Sequence, residues 1–123
     1  MFFVLIQPLA YAEEKQKAPS ISPWLYKKLT KTEKLIAKKE YQKAEQKLKA
    51  MLADVDKKSY EQAVVLRSLS SVYAIKGQYN KAAEILFKVI KLKVLPFQQE
   101  QQAFLNLGQL YMAVEQYDKA IKM

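Results

Sequence analysis

The chain of 123 residues contains no cysteine and no histidine. Without cysteine there are no disulfides, no zinc–thiolate sites and no thiol nucleophile. Without histidine, the usual acid/base at neutral pH and the commonest transition-metal ligand are missing, so Ser–His–Asp catalysis is excluded. Asp, Glu, Lys and Tyr remain as reactive groups, but no arrangement of them points to an enzyme. With only 2 glycines and 4 prolines, a β-rich, collagen-like or linker-rich chain is disfavoured. No Gly-rich phosphate loop occurs. Arginine is confined to Arg67. Bidentate readout of phosphates or bases favours arginine, so the many lysines argue more for wet helix faces than for nucleic-acid binding.

What is present suits one soluble domain. Half the residues are apolar and 27% are charged, and a chain of this length can bury a substantial core. The Lys, Glu, Gln, Ala and Leu content favours helix. The net charge of +9 is concentrated between Lys15 and Lys58, where 13 lysines face five acids.

Residues 1–12 read as a signal-peptide remnant. Phe2–Ile6 is an apolar run, and Ala10-Tyr11-Ala12 has the small-x-small form of a signal-peptidase site, with cleavage expected after Ala12. No basic residue precedes Phe2. An apolar stub packed on the fold is the alternative. The run is shorter than the roughly 20 residues a spanning helix needs. Residues 13–21 read as a flexible tether. The leader implies a periplasmic protein, with a cytoplasmic one as the alternative.

From there on the sequence repeats with a period of 38. Tyr41, Tyr79 and Tyr117 fall in one column, as do Ala44, Ala82 and Ala120; Thr32, Ser70 and Gly108; and Leu35, Tyr73 and Tyr111. Self-similarity at such a period signals stacked supersecondary units, here about 22–56, 57–94 and 95–123. Apolar residues step by three and four within each, for example Leu66, Leu69, Val72 and Tyr73. Helices are expected over 23–38, 40–53, 59–76, 78–91, 97–114 and 116–123. The breaks fall at Lys76-Gly77-Gln78 and Val114-Glu115-Gln116. Gly77 suits a left-handed helix end, Ser59 with Gln62 a capping box, and Ser22-Pro23 an N-cap followed by proline.

Phe104-x-x-Leu107-Gly108-x-x-Tyr111 followed by Ala120 resembles the tetratricopeptide repeat (TPR) pattern, and Leu66-x-x-Leu69-Ser70-x-x-Tyr73 with Ala82 fits it nearly as well. The first unit is degenerate, with Lys28 at a large-apolar position. The resemblance implies an all-α, right-handed helix-turn-helix solenoid of about three repeats, the last incomplete. Within that family, the leader, the Lys-rich first pair and the stretch Gln101–Tyr111 resemble TPR proteins associated with bacterial TonB–ExbB–ExbD systems. The period of 38, against the usual 34, places an extra turn near 59–62 and 97–100, lengthening those helices and extending one rim of the groove.

The resemblance further implies close helix approach at the small columns Thr32, Ser70 and Gly108 against Ala44, Ala82 and Ala120, with Tyr73 and Tyr111 filling wedges between pairs. It implies a concave groove for a partner's peptide or helix, lined by Tyr26, Leu29, Glu33, Ile36 and Ala37, then by Val64, Arg67, Ser71, Ala74 and Ile75, then by Gln102, Leu105, Gln109, Met112 and Ala113. Arg67 and Gln109 are the expected polar anchors and Met112 an adaptable contact; packing against neighbouring helices is the plainer role for several of these. The protein is therefore expected to be a non-catalytic scaffold for a protein partner, with no cofactor, no metal and no small-molecule substrate.

Lys27, Lys28, Lys31, Lys34, Lys38 and Lys39 offer an alternative, an anionic partner such as lipid headgroups or nucleic acid. Glu33 and Glu40 interrupt the run and nothing resembles an RNA-binding module, so a solvated helix face is the favoured reading. Asp54 and Asp56 read as turn chemistry, not as a calcium loop. The helix expected from 116 stops at Met123. The array is thus expected to be a truncated or partial one, with the apolar side of its third first-helix partly bare.

Overall fold

The computed structural model describes residues 20–122, except for the side chains of Tyr117 and of residues 119–122. The expected leader (1–12) and residues 13–19 of the tether lie outside the described residues. Ile21, at the tether's end, packs against the core.

The described residues are all-helical, with no strand among them: α1 (Pro23–Ala37), α2 (Tyr41–Leu52), α3 (Tyr60–Ile75), α4 (Tyr79–Leu92) and α5 (Phe97–Lys122). Each helix packs on the next in the chain. The first four match the helices read from the apolar period to within one or two residues.

Helix ends show how local chemistry sets the boundaries. Pro23 opens α1 at a position where its missing N–H costs nothing. Ser59 Oγ accepts from the Gln62 N–H at 3.1 Å and caps α3, while Gln62 Oε1 reaches back to the Lys58 N–H at 2.9 Å. Ser22 does not cap with its side chain. Its N–H and Oγ–H both donate to Glu61 Oε2, at 2.7 and 2.6 Å. That ties the start of α1 to the first turn of α3.

The α1–α2 and α3–α4 turns are built alike, 38 residues apart. Lys39 (φ 63°) and Gly77 (φ 82°) both take the left-handed conformation. In each turn the next N–H bonds back five residues: Glu40 N to Leu35 O at 2.9 Å and Gln78 N to Tyr73 O at 2.8 Å. This closes the carbonyls that a helix end leaves open. Glu115 holds the third position in that column, and there the expected break does not form. α5 runs as one helix of 26 residues through 114–116. Val114-Glu115-Gln116 offers no glycine, so a left-handed turn there would cost about 1–2 kcal/mol, a cost that the packing of α1 on α2 offsets at Lys39.

The core is two joined clusters. Leu25, Leu48, Met51, Val65, Val72 and Tyr73 form one, bridging the first and second pairs. Leu66, Leu86, Val89, Ile90, Ala103 and Leu107 form the other, bridging the second pair and α5. Burying side chains of this size contributes about 1.5–3 kcal/mol each.

The small columns differ between the first two units and the third. Thr32, Ser70, Ala44 and Ala82 are buried, and Ser70 Oγ donates to the Ala82 carbonyl at 2.8 Å, fixing the α3–α4 approach. At Gly108 no close approach occurs: an added Cβ would meet nothing within 4 Å. Tyr111 is 53% exposed, whereas Tyr73 is 4% exposed. Both differences follow from the unbroken α5, which carries Ala120 away from Gly108 along the same helix. The side chain of Ala120 lies outside the described residues.

Candidate functional site

An open cleft of about 700 Å³ lies between α3 and α5, floored by α4. Its α3 wall carries Tyr60, Val64, Arg67, Ser71 and Ala74, and its α5 wall Gln99, Asn106, Gln109, Leu110 and Ala113. Tyr79 and Leu86 come from the floor. At the rim the Tyr60 hydroxyl donates to Gln99 Oε1 at 3.1 Å, and Arg67 Nη1 approaches the same oxygen at 3.5 Å. Tyr60 and Gln99 lie within the stretches 59–62 and 97–100, and both line the cleft.

The Tyr60–Gln99 bond repeats the Ser22–Glu61 bond 38 residues later. Ser22 and Tyr60 share a column, and so do Glu61 and Gln99. Successive first-helices are thus joined at their starts by the same donor–acceptor device. The Ser22 hydroxyl, followed by its N–H, holds the Glu61 carboxyl below its ordinary value.

Arg67 is half-buried in the cleft. Burial lowers its guanidinium from the ordinary value. Among the described residues its side-chain partner is the neutral Gln99, and no carboxylate lines the cleft. The floor and walls otherwise carry apolar, hydroxyl-bearing and amide-bearing side chains.

A second electrostatic feature lies at the α2–α3 seam. The buried carboxylate of Glu45 accepts from Lys76 Nζ at 2.7 Å, from Lys49 Nζ at 2.9 Å and from the Tyr73 hydroxyl at 3.2 Å. The Lys76 hydrogen bond, then that of Lys49, lowers the Glu45 pKa to about 2, against the opposing pull of desolvation. Lys49 is raised in turn, chiefly by Glu45. Lys81 lies over the Tyr73 ring, 5.4 Å from its centroid. Sequence reasoning missed Glu45. The available signal was its column, where the later units carry Ala83 and Ile121.

Of the groove residues expected from sequence, Val64, Arg67, Ser71, Ala74, Gln109 and Ala113 converge on this cleft. The others do not. Tyr26 lines a separate shallow hollow with Pro23, Lys27 and Lys31. Glu33 is exposed, and Ile36 packs against the first core cluster. Ile75, Leu105 and Met112 are half or more exposed but do not line the cleft. Gln102 is exposed and donates to Asn106 Oδ1 at 3.0 Å, steadying a residue that does. Tyr60, Gln99, Asn106 and Leu110 were not anticipated as lining. Along the Lys-rich face, Lys28 lies over Trp24, and Lys28, Lys31 and Lys47 surround a small hollow beside Met51.

Among the described residues no group of three or more acidic side chains is placed to hold a metal ion, and no helix is long and apolar enough to cross a membrane. No protein-family model, no curated protein and no solved structure matches the chain.

Proposed function

We propose that the chain is a TPR-like, non-catalytic interaction scaffold whose α3–α5 cleft binds an extended or helical segment of a protein partner. The observation that carries this reading is the cleft itself, in which Val64, Ser71, Ala74, Gln109 and Ala113, five side chains from equivalent faces of two first-helices, meet around the half-buried Arg67. The repetition of turn and joint at 38 residues supports a solenoid, which exposes such a face by construction. The place we assign it is the bacterial periplasm, in an envelope complex of the TonB–ExbB–ExbD type, on the strength of the leader and the sequence resemblance.

Site-specific photocrosslinking tests the cleft. A crosslinker at Ser71 is expected to trap one defined protein, and one at Glu84 on the exposed side of α4 none. Arg67→Glu is expected to abolish the adduct. Equal labelling from both positions, or none from Ser71, overturns the reading. The convergence of Lys28, Lys31 and Lys47 favours a second reading, an anionic partner. In that case binding falls steeply with salt and is lost in Lys28→Glu/Lys31→Glu, while Arg67→Glu leaves it intact.

A further inference from the structure

Arg67 brings a positive charge into the cleft without a negative one beside it. The side chain is half-buried, and among the described residues that line the cleft none is Asp, Glu or Lys. Its partner Gln99 is neutral and distant, 3.5 Å away, and the same Gln99 oxygen already accepts from the Tyr60 hydroxyl at 3.1 Å. A guanidinium has five N–H donors in a planar fork that matches a carboxylate. One shared amide oxygen leaves most of that capacity unused. Because the group is partly withdrawn from water, an anion delivered here gains more than one delivered to an exposed lysine. The α5 wall adds neutral donors: Gln102 Nε2 donates to Asn106 Oδ1 at 3.0 Å, so the Asn106 amide can offer its Nδ2, and Gln109 lies one turn on.

The rest of the lining decides what kind of anion fits. Along α3 the cleft residues are Tyr60, Val64, Arg67, Ser71 and Ala74, a single stripe with steps of four, three, four and three. Arg67 is the middle one. Val64 lies before it, and Ala74 lies after it with Leu110 and Ala113 across the cleft. A polyanion such as nucleic acid would call for a row of cations, which this lining lacks. A chain ending at Arg67 would leave one half of the stripe uncovered. We propose that the segment held in the α3–α5 cleft is an acidic-centred one: an internal Asp or Glu side chain pairs with Arg67, between apolar residues that lie on Val64 at one side and on Ala74, Leu110 and Ala113 at the other. The proposal rests on the scaffold reading of this cleft and adds the chemistry of the partner.

Random peptides displayed on phage through their C-termini, so that no free α-carboxylate is present, test it by selection on the full chain. Peptides whose binding is lost in Ser71→Trp are cleft-bound. These are expected to share one Asp or Glu with apolar residues on both sides. Made as free, C-terminally amidated peptides, they are expected to bind about 10- to 100-fold more weakly when that acid is changed to its amide. Arg67→Met, with an unchanged helical circular-dichroism spectrum, is expected to bind the acid and amide forms equally. The acid–amide comparison on the parent chain needs no folded variant. Cleft-bound peptides without a shared acid, or with an acid whose amide binds the parent equally well, overturn this inference and leave the scaffold reading standing. An acid preference that persists in Arg67→Met also overturns it, as does selection only from a companion library with free C-termini. A complete failure to select cleft-bound peptides from either library overturns the scaffold reading as well.

Discussion

Replacing Glu45 by Gln removes a charge held by two lysines at a seam between pairs while keeping the side chain's size. The folded-state pKa of Glu45 is about 2, against an ordinary 4.5. At about 1.4 kcal/mol per unit that depression is worth roughly 3 kcal/mol before screening. Lys49 is half exposed, so solvent weakens its share, and about 1–2 kcal/mol is the figure expected to survive. The direction follows from linkage. A carboxylate with a depressed folded pKa contributes stability that is fully present above its unfolded pKa and is lost as pH falls through the folded one. Urea unfolding at pH 7 should therefore place Glu45→Gln about 1–2 kcal/mol below the parent, or about 5–10 °C lower in Tm for a domain of this size. The gap should begin to shrink below about pH 4.5 and be nearly closed at pH 2. A double-mutant cycle with Lys76→Met should return most of that coupling. A gap that stays constant from pH 7 to 2, or a cycle with no coupling, would refute the assignment of Glu45 as an ion-paired staple.

Four further outcomes are expected, from the backbone and from packing. Lys39→Gly should raise stability by about 0.5–1 kcal/mol, because it relieves a left-handed lysine, whereas Gly77→Ala at the matching position should lower it by a similar amount; thermal melts of the two variants should move in opposite directions. Gly108→Ala should stabilise by up to about 1 kcal/mol, since it replaces a helical glycine in open space, while Ser70→Leu should destabilise by about 1–3 kcal/mol by forcing α3 from α4; denaturant midpoints read both.

The four shorter helices were legible because their apolar residues recur at three and four, and because Gly77 and Ser59 mark ends by residue type. The failed break at 114–116 shows the limit of column matching. Repeats aligned by Tyr117 and Ala120 demanded a turn, but the residue at the turn itself, Glu115, prefers helix. Lys39 takes the same column left-handed with no glycine, so the residue type alone decides neither case; packing by the following helix tips the balance. Half of the cleft was legible for a related reason. Arg67, Ser71 and Gln109 follow from the helical face, but Tyr60 and Gln99 enter through the bond between neighbouring units, which no single helix wheel displays. On its own helix Glu45 reads as a wet acid until Tyr73 and Lys76 close over it, and only its column, with Ala83 and Ile121, marks it as different.

The bonds Ser22–Glu61 and Tyr60–Gln99 have a consequence for how such a molecule grows. Each seam couples the opening turn of one block to that of the next, by a donor and an acceptor displaced by the full period. Copying residues 57–94 in tandem would set Tyr60 of the first copy against Glu61 of the second, a phenol facing a carboxylate, both drawn from seams already in use. A duplicated block would therefore meet its neighbours through donor and acceptor side chains already present at these two joints.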